Sequence, residues 1–366
     1  MSKVFVVWQK PSDMRVAFVS LYVDDQRTEG ATRRIRRIAE GLAARGHDVT
    51  VCCSRWWQGS VSTFSKNDVA YIGLTEAKTP RAFALKLPFV LRRIAPDIIH
   101  ATNSPPSQVI AAATAGIMIR TPLVVDWWQV DETDHPWVVR RAARAGSRHF
   151  TPSQLIKTDV RSVGGDTDSI IRLPESIDFE LVRDADIHDR ADIVYARRLD
   201  DESNIDSFLL ALAELRNKQW RTAVIGDGPQ RSDAEAMARD LRIDDRITFY
   251  GSMELEQFVS TLKGAHVFAQ TASVEPFARE LLWALACGCV GVVEYQARSS
   301  AHELLEDYER GTRVTDPEGI AAEIESAAEI NSSVIAESFS KYDHRAVLKQ
   351  YEDQYVAAQS EFGWFS

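Results

Sequence analysis

One local pattern, repeated along the chain, limits what it can become: a short apolar run, a polar turn, then a helix with a single apolar stripe. Residues 15–21 form the first run, Ile35, Ile38, Ala39 and Leu42 recur at helical spacing, and residues 49–53 form the next run. A strand, a helix and a strand in that order need a right-handed crossover and give a parallel sheet. Further strands are predicted at 97–100, 122–126 and 149–151. After a charged stretch at 183–190 the pattern starts again, with strands at 192–196, 222–225 and 247–250 separated by amphipathic helices. The fold class is therefore α/β, with two Rossmann-like, doubly wound domains. Ligands of open parallel sheets bind beyond the carboxyl ends of the strands, so two such domains would face a cleft. At 366 residues the chain is long enough for both.

Composition narrows the partners. A net charge of −10 argues against nucleic acid as the main one. No window approaches twenty apolar residues, and residues 1–10 lack the long apolar core of a cleavable signal, which places the protein in the cytoplasm. Cys52, Cys53, Cys287 and Cys289 lie in apolar segments and read as buried free thiols; no further Cys or His completes a zinc set. The run from Asp131 to His135 holds residues able to ligate a metal, but consecutive acids in a loop are commonly just solvated, and no metal is expected there.

Most of the chemistry lies in residues 271–290. Residues 267–269 read as a strand, and Leu281, Leu282, Leu285 and Ala286 as a helix, so Glu275 to Glu280 fall where the strand ends and the helix begins. Free backbone N–H groups and the positive end of the helix dipole favour bound phosphate at such a junction. Gly226-Asp227-Gly228-Pro229 also follows a strand and precedes a helix. Its glycines permit a tight turn or close backbone approach, and the simple turn is what the residues alone favour.

The pattern Ser273-x-Glu275-x-Phe277 followed by Ala284-Leu-Ala-Cys-Gly288 resembles the donor-site signature of the GT-B glycosyltransferases of family 4. The resemblance runs from about Arg15 to the C-terminal helix. It implies transfer of a hexosyl unit, with retention, from a nucleotide sugar to a glycan or lipid-linked acceptor, without metal or other cofactor. It also implies that Glu275 contacts the donor sugar, that Phe277, Arg279 and Glu280 line the donor site, and that the turn Gly226, Asp227, Gly228, Pro229 lies beside the nucleotide. Arg198, just past strand 192–196, matches the family arginine that neutralises the diphosphate as the leaving group departs; a guanidinium stays charged and grips phosphate oxygens in a fork. Its neighbour Arg197 reads as a solvated charge. Gly30 is similar to a family glycine that approaches the diphosphate. On the acceptor side, residues 96–103 and 122–128 resemble two family strand ends and single out His100, Asn103 and Asp126.

Besides a second strand-end His that is Thr102 and a glycine that is Glu29, three functional positions depart from the family. The ribose-binding Glu, eight positions after Glu275, is Trp283; the Lys five positions after Arg198 is Ser203; an active-site His is Trp128. A neutral aromatic cannot shuttle a proton. Same-face transfer, however, gives the acceptor proton to the departing phosphate and leaves the protein to position groups and stabilise charge. Arg279, beside Glu275, is read as the replacement cation.

The last helix, N-capped by Asp343 and carrying Val347, Leu348, Tyr351, Tyr355 and Ala358 on one side, resembles the family helix that returns to the first domain. The expected division is an acceptor domain over 1–180 joined by helix 343–361, and a nucleotide-sugar domain over 190–335. Arg33, Arg36, Arg37, Arg140 and Arg141, with Trp56, Trp57, Trp127 and Trp128, would together suit the anionic inner face of the cell membrane. Singly they read as solvated arginines and core tryptophans. Two rival functions stay open. A sugar-nucleotide epimerase shares the architecture, and a degenerate relative would bind a sugar nucleotide or a partner enzyme without catalysis.

Overall fold

The computed structural model describes residues 14–23, 30–59, 61–76, 78–130, 135–188 and 191–364. The chain divides into two compact units, one of residues 1–150, 159–171 and 351–366, the other of residues 151–158 and 172–350. The change of unit thus falls before residue 180, and the last helix belongs to the first unit only from Tyr351 onward.

The first unit runs β1 (Arg15–Val19), α1 (Gly30–Ala44), β2 (Asp48–Ser54), β3 (Thr63–Lys66), β4 (Val69–Thr75), α2 (Pro80–Ile94), β5 (Ile98–Thr102), α3 (Pro106–Ile119), β6 (Leu123–Asp126), α4 (Pro136–Ala142), β7 (Arg148–Thr151), α5 (Gln154–Ser162) and β8 (Ile170–Arg172). Its sheet has the order β3-β4-β2-β1-β5-β6-β7-β8, with parallel pairing from β4 to β7. β3 and β4 pair antiparallel, through a turn in which Asn67 and Asp68 have φ of 51° and 59°. Central strands are apolar on both faces because helices cover both, so β1, β5 and β6 are buried nearly throughout.

The second unit runs α6 (Phe179–Asp184), β9 (Ile193–Ala196), α7 (Ile205–Glu214), β10 (Thr222–Ile225), α8 (Arg231–Asp240), β11 (Ile247–Gly251), α9 (Leu255–Gly264), β12 (Val267–Gln270), β13 (Val274–Glu275), α10 (Arg279–Ala286), β14 (Val290–Glu294), β15 (Arg298–Ser299), β16 (Gly311–Val314) and α11 (Pro317–Ala327). Its main sheet, β11-β10-β9-β12-β14-β16, is wholly parallel, and β13 pairs with β15 apart from it. The helix α12 (His344–Trp364) closes the chain. The Asp343 carboxylate accepts from Arg345 N at 2.8 Å, and Val347, Tyr351, Tyr355 and Ala358 are buried. All four cysteines are buried free thiols.

A charged cluster lies inside the first unit. Arg34 of α1 donates Nε to both oxygens of Asp126 at 3.0 and 3.1 Å, and the two side chains are 2% and 3% exposed. Tyr351 donates its hydroxyl to Asp126 at 3.2 Å, while His100 Nδ1 lies 2.6 Å from the Tyr355 hydroxyl. Burial alone would raise the Asp126 carboxyl, but Arg34 and His100 outweigh it and hold it below the usual range. Burial pushes His100 down more than Asp126 pulls it up, so the ring stays neutral. Beside this cluster, His47 and Arg45 both meet Glu352 of α12, at 3.2 and 2.7 Å.

Arg34→Met would leave Asp126 buried without its counter-ion, so the unfolding free energy should fall by about 3–5 kcal/mol, and Asp126→Leu in the same chain should restore most of it; urea unfolding measures both. A second prediction concerns acid. Burial lowers the His149 pKa to about 4, and its Nδ1 accepts from Trp127 Nε1 at 3.0 Å. The folded state refuses a proton that the unfolded chain takes near 6.5. Stability should therefore be complete above pH 6.5 and fall as pH drops toward 4, and His149→Gln should flatten that fall in unfolding measured between pH 7 and pH 4.5.

Candidate functional site

In the second unit the carboxyl ends of β9, β10 and β12 bring the expected donor residues to one edge of the sheet. Gly226, with φ +135°, follows β10, and a β-carbon there would lie 1.9 Å from the Arg197 carbonyl oxygen. At Gly228 it would lie 2.1 Å from the Leu199 carbonyl oxygen. Both glycines are therefore required by the neighbouring backbone at 197–199, which this turn clasps: Leu199 N donates to the Asp227 carbonyl at 3.1 Å and Gln230 N to the Leu199 carbonyl at 3.0 Å. Asp227 and Pro229 stay exposed, and the Asp227 carboxylate accepts from Gly228 N at 2.8 Å.

Glu275 ends β13 with its side chain 13% exposed, and its nearest cation is Arg197. Arg197 donates Nη1 to the Glu275 carboxylate and Nη2 to the Val274 carbonyl at 3.0 Å, with a side chain only 12% exposed. Its reading as a solvated charge is thus corrected. Past the end of β9 the chain buries the Arg197 side chain and leaves Arg198 in solvent, 71% exposed and 3.5 Å from Asp200. Burial pushes the Glu275 carboxyl up to about 8, with Arg197 pulling it down and Glu280, Glu202 and Asp200 adding to the rise. Phe277 is buried and borders a cavity of about 210 Å³ with Arg172, Ser300, Glu303 and Lys341. No side chain caps α10; Arg279 opens it and lays its guanidinium 5.9 Å from the Trp283 ring centroid. Glu280, next to it, is half-buried.

Two of the family departures are interior. Ser203 is fully buried, and its carbonyl accepts from the Tyr195 hydroxyl at 2.7 Å. Trp283 is fully buried in α10 and cannot stand where a ribose contact would be exposed. A pair that sequence reading missed lies nearby: Asn204, in the left-handed conformation at the start of α7, donates to Glu294 at 3.0 Å at the end of β14. Burial raises the Glu294 carboxyl. An Asn before a helix signals a cap, but nothing local signals a carboxylate from ninety residues away.

The acceptor-side residues sit in the first unit. His100 is fully buried, enclosed by Phe18, Phe150, Tyr351 and Tyr355, which takes its ring out of reach of a ligand. Asp126 is committed to Arg34 and Tyr351. Asn103 donates its amide to the Gln129 carbonyl at 2.8 Å and, with Asp126, Tyr22 and Trp128, borders a cavity of about 50 Å³. A β-carbon at Gly30 would lie 2.2 Å from Cζ2 of Trp128, so this glycine is required by the indole packed against it. The run 131–134 of the acidic stretch lies outside the described residues. Trp56 and Trp57 pack edge to face beside Phe64, and Trp127 is fully buried.

Two doubly wound parallel units in one chain, with a carboxylate and guanidinium groups at the strand ends of the second, define a nucleotide-sugar transferase plan. The family model for glycosyl transferases group 1 matches residues 179–346, and that for the glycosyl transferase 4-like domain matches residues 29–175. The chain belongs to the GT-B glycosyltransferases. It is 27% identical over 146 residues to the lipopolysaccharide 1,6-galactosyltransferase of Escherichia coli strain K12, a match spanning 38% of this chain and 40% of that enzyme. In fold it is similar to a glycosyltransferase from Rickettsia africae, with TM-score 0.77, 13% identity and coverage of 95% of this chain and 99% of that one. HepE of Anabaena, solved with UDP and glucose, gives TM-score 0.72 at 17% identity over 94% of this chain and 100% of its own.

The clash distances give a direct check. Gly226→Ala and Gly228→Ala should each destabilise the protein by on the order of 3 kcal/mol, seen as a lowered thermal midpoint.

Proposed function

We propose that this protein is a retaining hexosyltransferase whose second unit binds a nucleotide sugar and whose acceptor is a glycan or a lipid-linked saccharide. The observation that carries this reading is the Arg197–Glu275 pair at the mouth of the uncapped helix α10. A carboxyl group held there by a guanidinium is fixed to exchange hydrogen bonds with sugar hydroxyls. Exposed Arg198, with the α10 amides, meets the diphosphate and stabilises the charge that grows as its bond to the sugar breaks. Arg197 acts through Glu275 as a positioning residue. The acceptor proton passes to the departing phosphate on the same face, so neither His100 nor Trp128 is needed as a base. The structures of HepE with UDP and with UDP-glucose support a uridine donor. No metal is required, because cationic side chains and helix amides supply the neutralising charge. A lipid-linked acceptor would be met at the anionic inner face of the membrane.

A non-catalytic sugar-nucleotide binder is the second reading, favoured by the enclosure of Ser203 and Trp283. Nucleotide release from UDP-, GDP- and ADP-sugars, measured with and without an acceptor extract, separates the two. Acceptor-dependent release supports transfer, binding without release supports the binder, and a released isomerised nucleotide sugar would mean epimerisation. For a transferase, Glu275→Gln and Arg198→Ala should each lower kcat/KM about 100-fold, and EDTA should leave the rate unchanged. Arg279→Ala should raise the donor Kd about tenfold in calorimetry.

A further inference from the structure

The five most exposed large apolar side chains among the described residues all lie on three helices of the first unit. They are Leu85 (74%) and Phe89 (78%) on α2, Ile117 (75%) and Met118 (64%) on α3, and Trp137 (64%) on α4. Helix α3 packs against both α2 and α4. These side chains are accompanied by cations, Arg81, Arg92 and Arg93 on α2, Arg120 capping α3, Arg140 and Arg141 on α4 and Arg144 just past it, all exposed. Neither the three helices nor the capping residues Arg120 and Ala143 contain an Asp or Glu, although the protein as a whole carries a net charge of −10. Between α3 and α4 runs a groove of about 520 Å³ with Ile110, Ile117 and Trp137 on its walls and Arg140, Arg141 and Arg144 at its rim.

We propose that this α2–α3–α4 face docks the protein on an anionic lipid surface, the apolar side chains entering the headgroup boundary and the arginines meeting lipid phosphates. Monomeric proteins rarely leave several large apolar side chains together in water. Accompanying them with guanidinium groups on helices that carry no carboxylate is the arrangement that a negatively charged interface rewards. A second copy of this chain is disfavoured, because it would bring arginine against arginine. Leu85, Ile117 and Met118 offer hydrocarbon rather than stacking surfaces, which separates this face from one built for bases. The surface differs from the tryptophans at 56, 57, 127 and 128, which lie half-buried or fully buried. The inference deepens the lipid-linked acceptor reading and rests on it for its purpose, but not for its test.

The test is co-flotation of the full chain, without donor or acceptor, with vesicles of phosphatidylcholine alone and of phosphatidylcholine mixed with phosphatidylglycerol. Expected is at least tenfold stronger association with the anionic vesicles, weakening as salt is raised. Phe89→Ser with Trp137→Ser, and separately Arg140→Gln with Arg141→Gln, should each reduce it about tenfold. Both pairs are on the surface, so thermal midpoint and UDP-sugar affinity should stay at the values of the unaltered protein. Absence of association with anionic vesicles overturns the proposal. So does association that the Arg140 and Arg141 changes abolish and the Phe89 and Trp137 changes leave intact, which would be adsorption of charge alone. Vesicle binding without sugar-nucleotide binding would sink the transferase reading and leave this one standing.

Discussion

The first unit is organised around a carboxylate that water does not reach. Asp126 sits buried at the end of a central strand, and its carboxyl is held below the usual range because Arg34 bonds both its oxygens and His100 lies beside it. That requirement spreads. Arg34 fixes the rotation of α1; the Tyr351 hydroxyl binds α12 to the same carboxylate; His100, neutral beside it, takes Tyr355. An ion pair of this kind gives little net stability over an apolar replacement, but it penalises every packing in which one partner is missing. Helix, sheet and C-terminal segment are therefore set in one mutual arrangement.

The second unit achieves precision differently, through backbone contact. The turn at Gly226 and Gly228 lies so close to residues 197–199 that no side chain fits between them. This contact aims the end of β9, and with it the two arginines, in opposite directions. One arginine is consumed in orienting Glu275 and the other remains in solvent, available to an anion.

Much of this was legible in the residues. Apolar runs bounded by polar turns gave the central strands of both sheets to within a few residues, and the stripe Val347, Tyr351, Tyr355, Ala358 marked the buried side of α12. The β3–β4 hairpin was not legible, because β3 at the sheet edge is short and half-polar and the turn uses Asn67 and Asp68 in place of a glycine. The site was read less well than the fold. Adjacent arginines at 197 and 198 are alike in sequence, and only the course of the chain past β9 tells which one faces Glu275. His100 looked like chemistry and is enclosed by aromatic rings contributed from β1, β7 and α12, far apart in the chain. Gly30 looked like a ligand's glycine and is the seat of an indole nearly a hundred residues away.

The placement of Tyr351, Glu352 and Tyr355 also bears on biosynthesis. Residues 351 onward complete the unit that contains residue 14, so that unit lacks part of its packing until they are made, whereas the residues of the second unit all precede them in the chain. Arg34, Asp126, His47 and the rings around His100 stay uncovered until the final helix emerges. The order of maturation is thereby reversed with respect to the order of translation, with the later unit able to fold first and the earlier one sealed last.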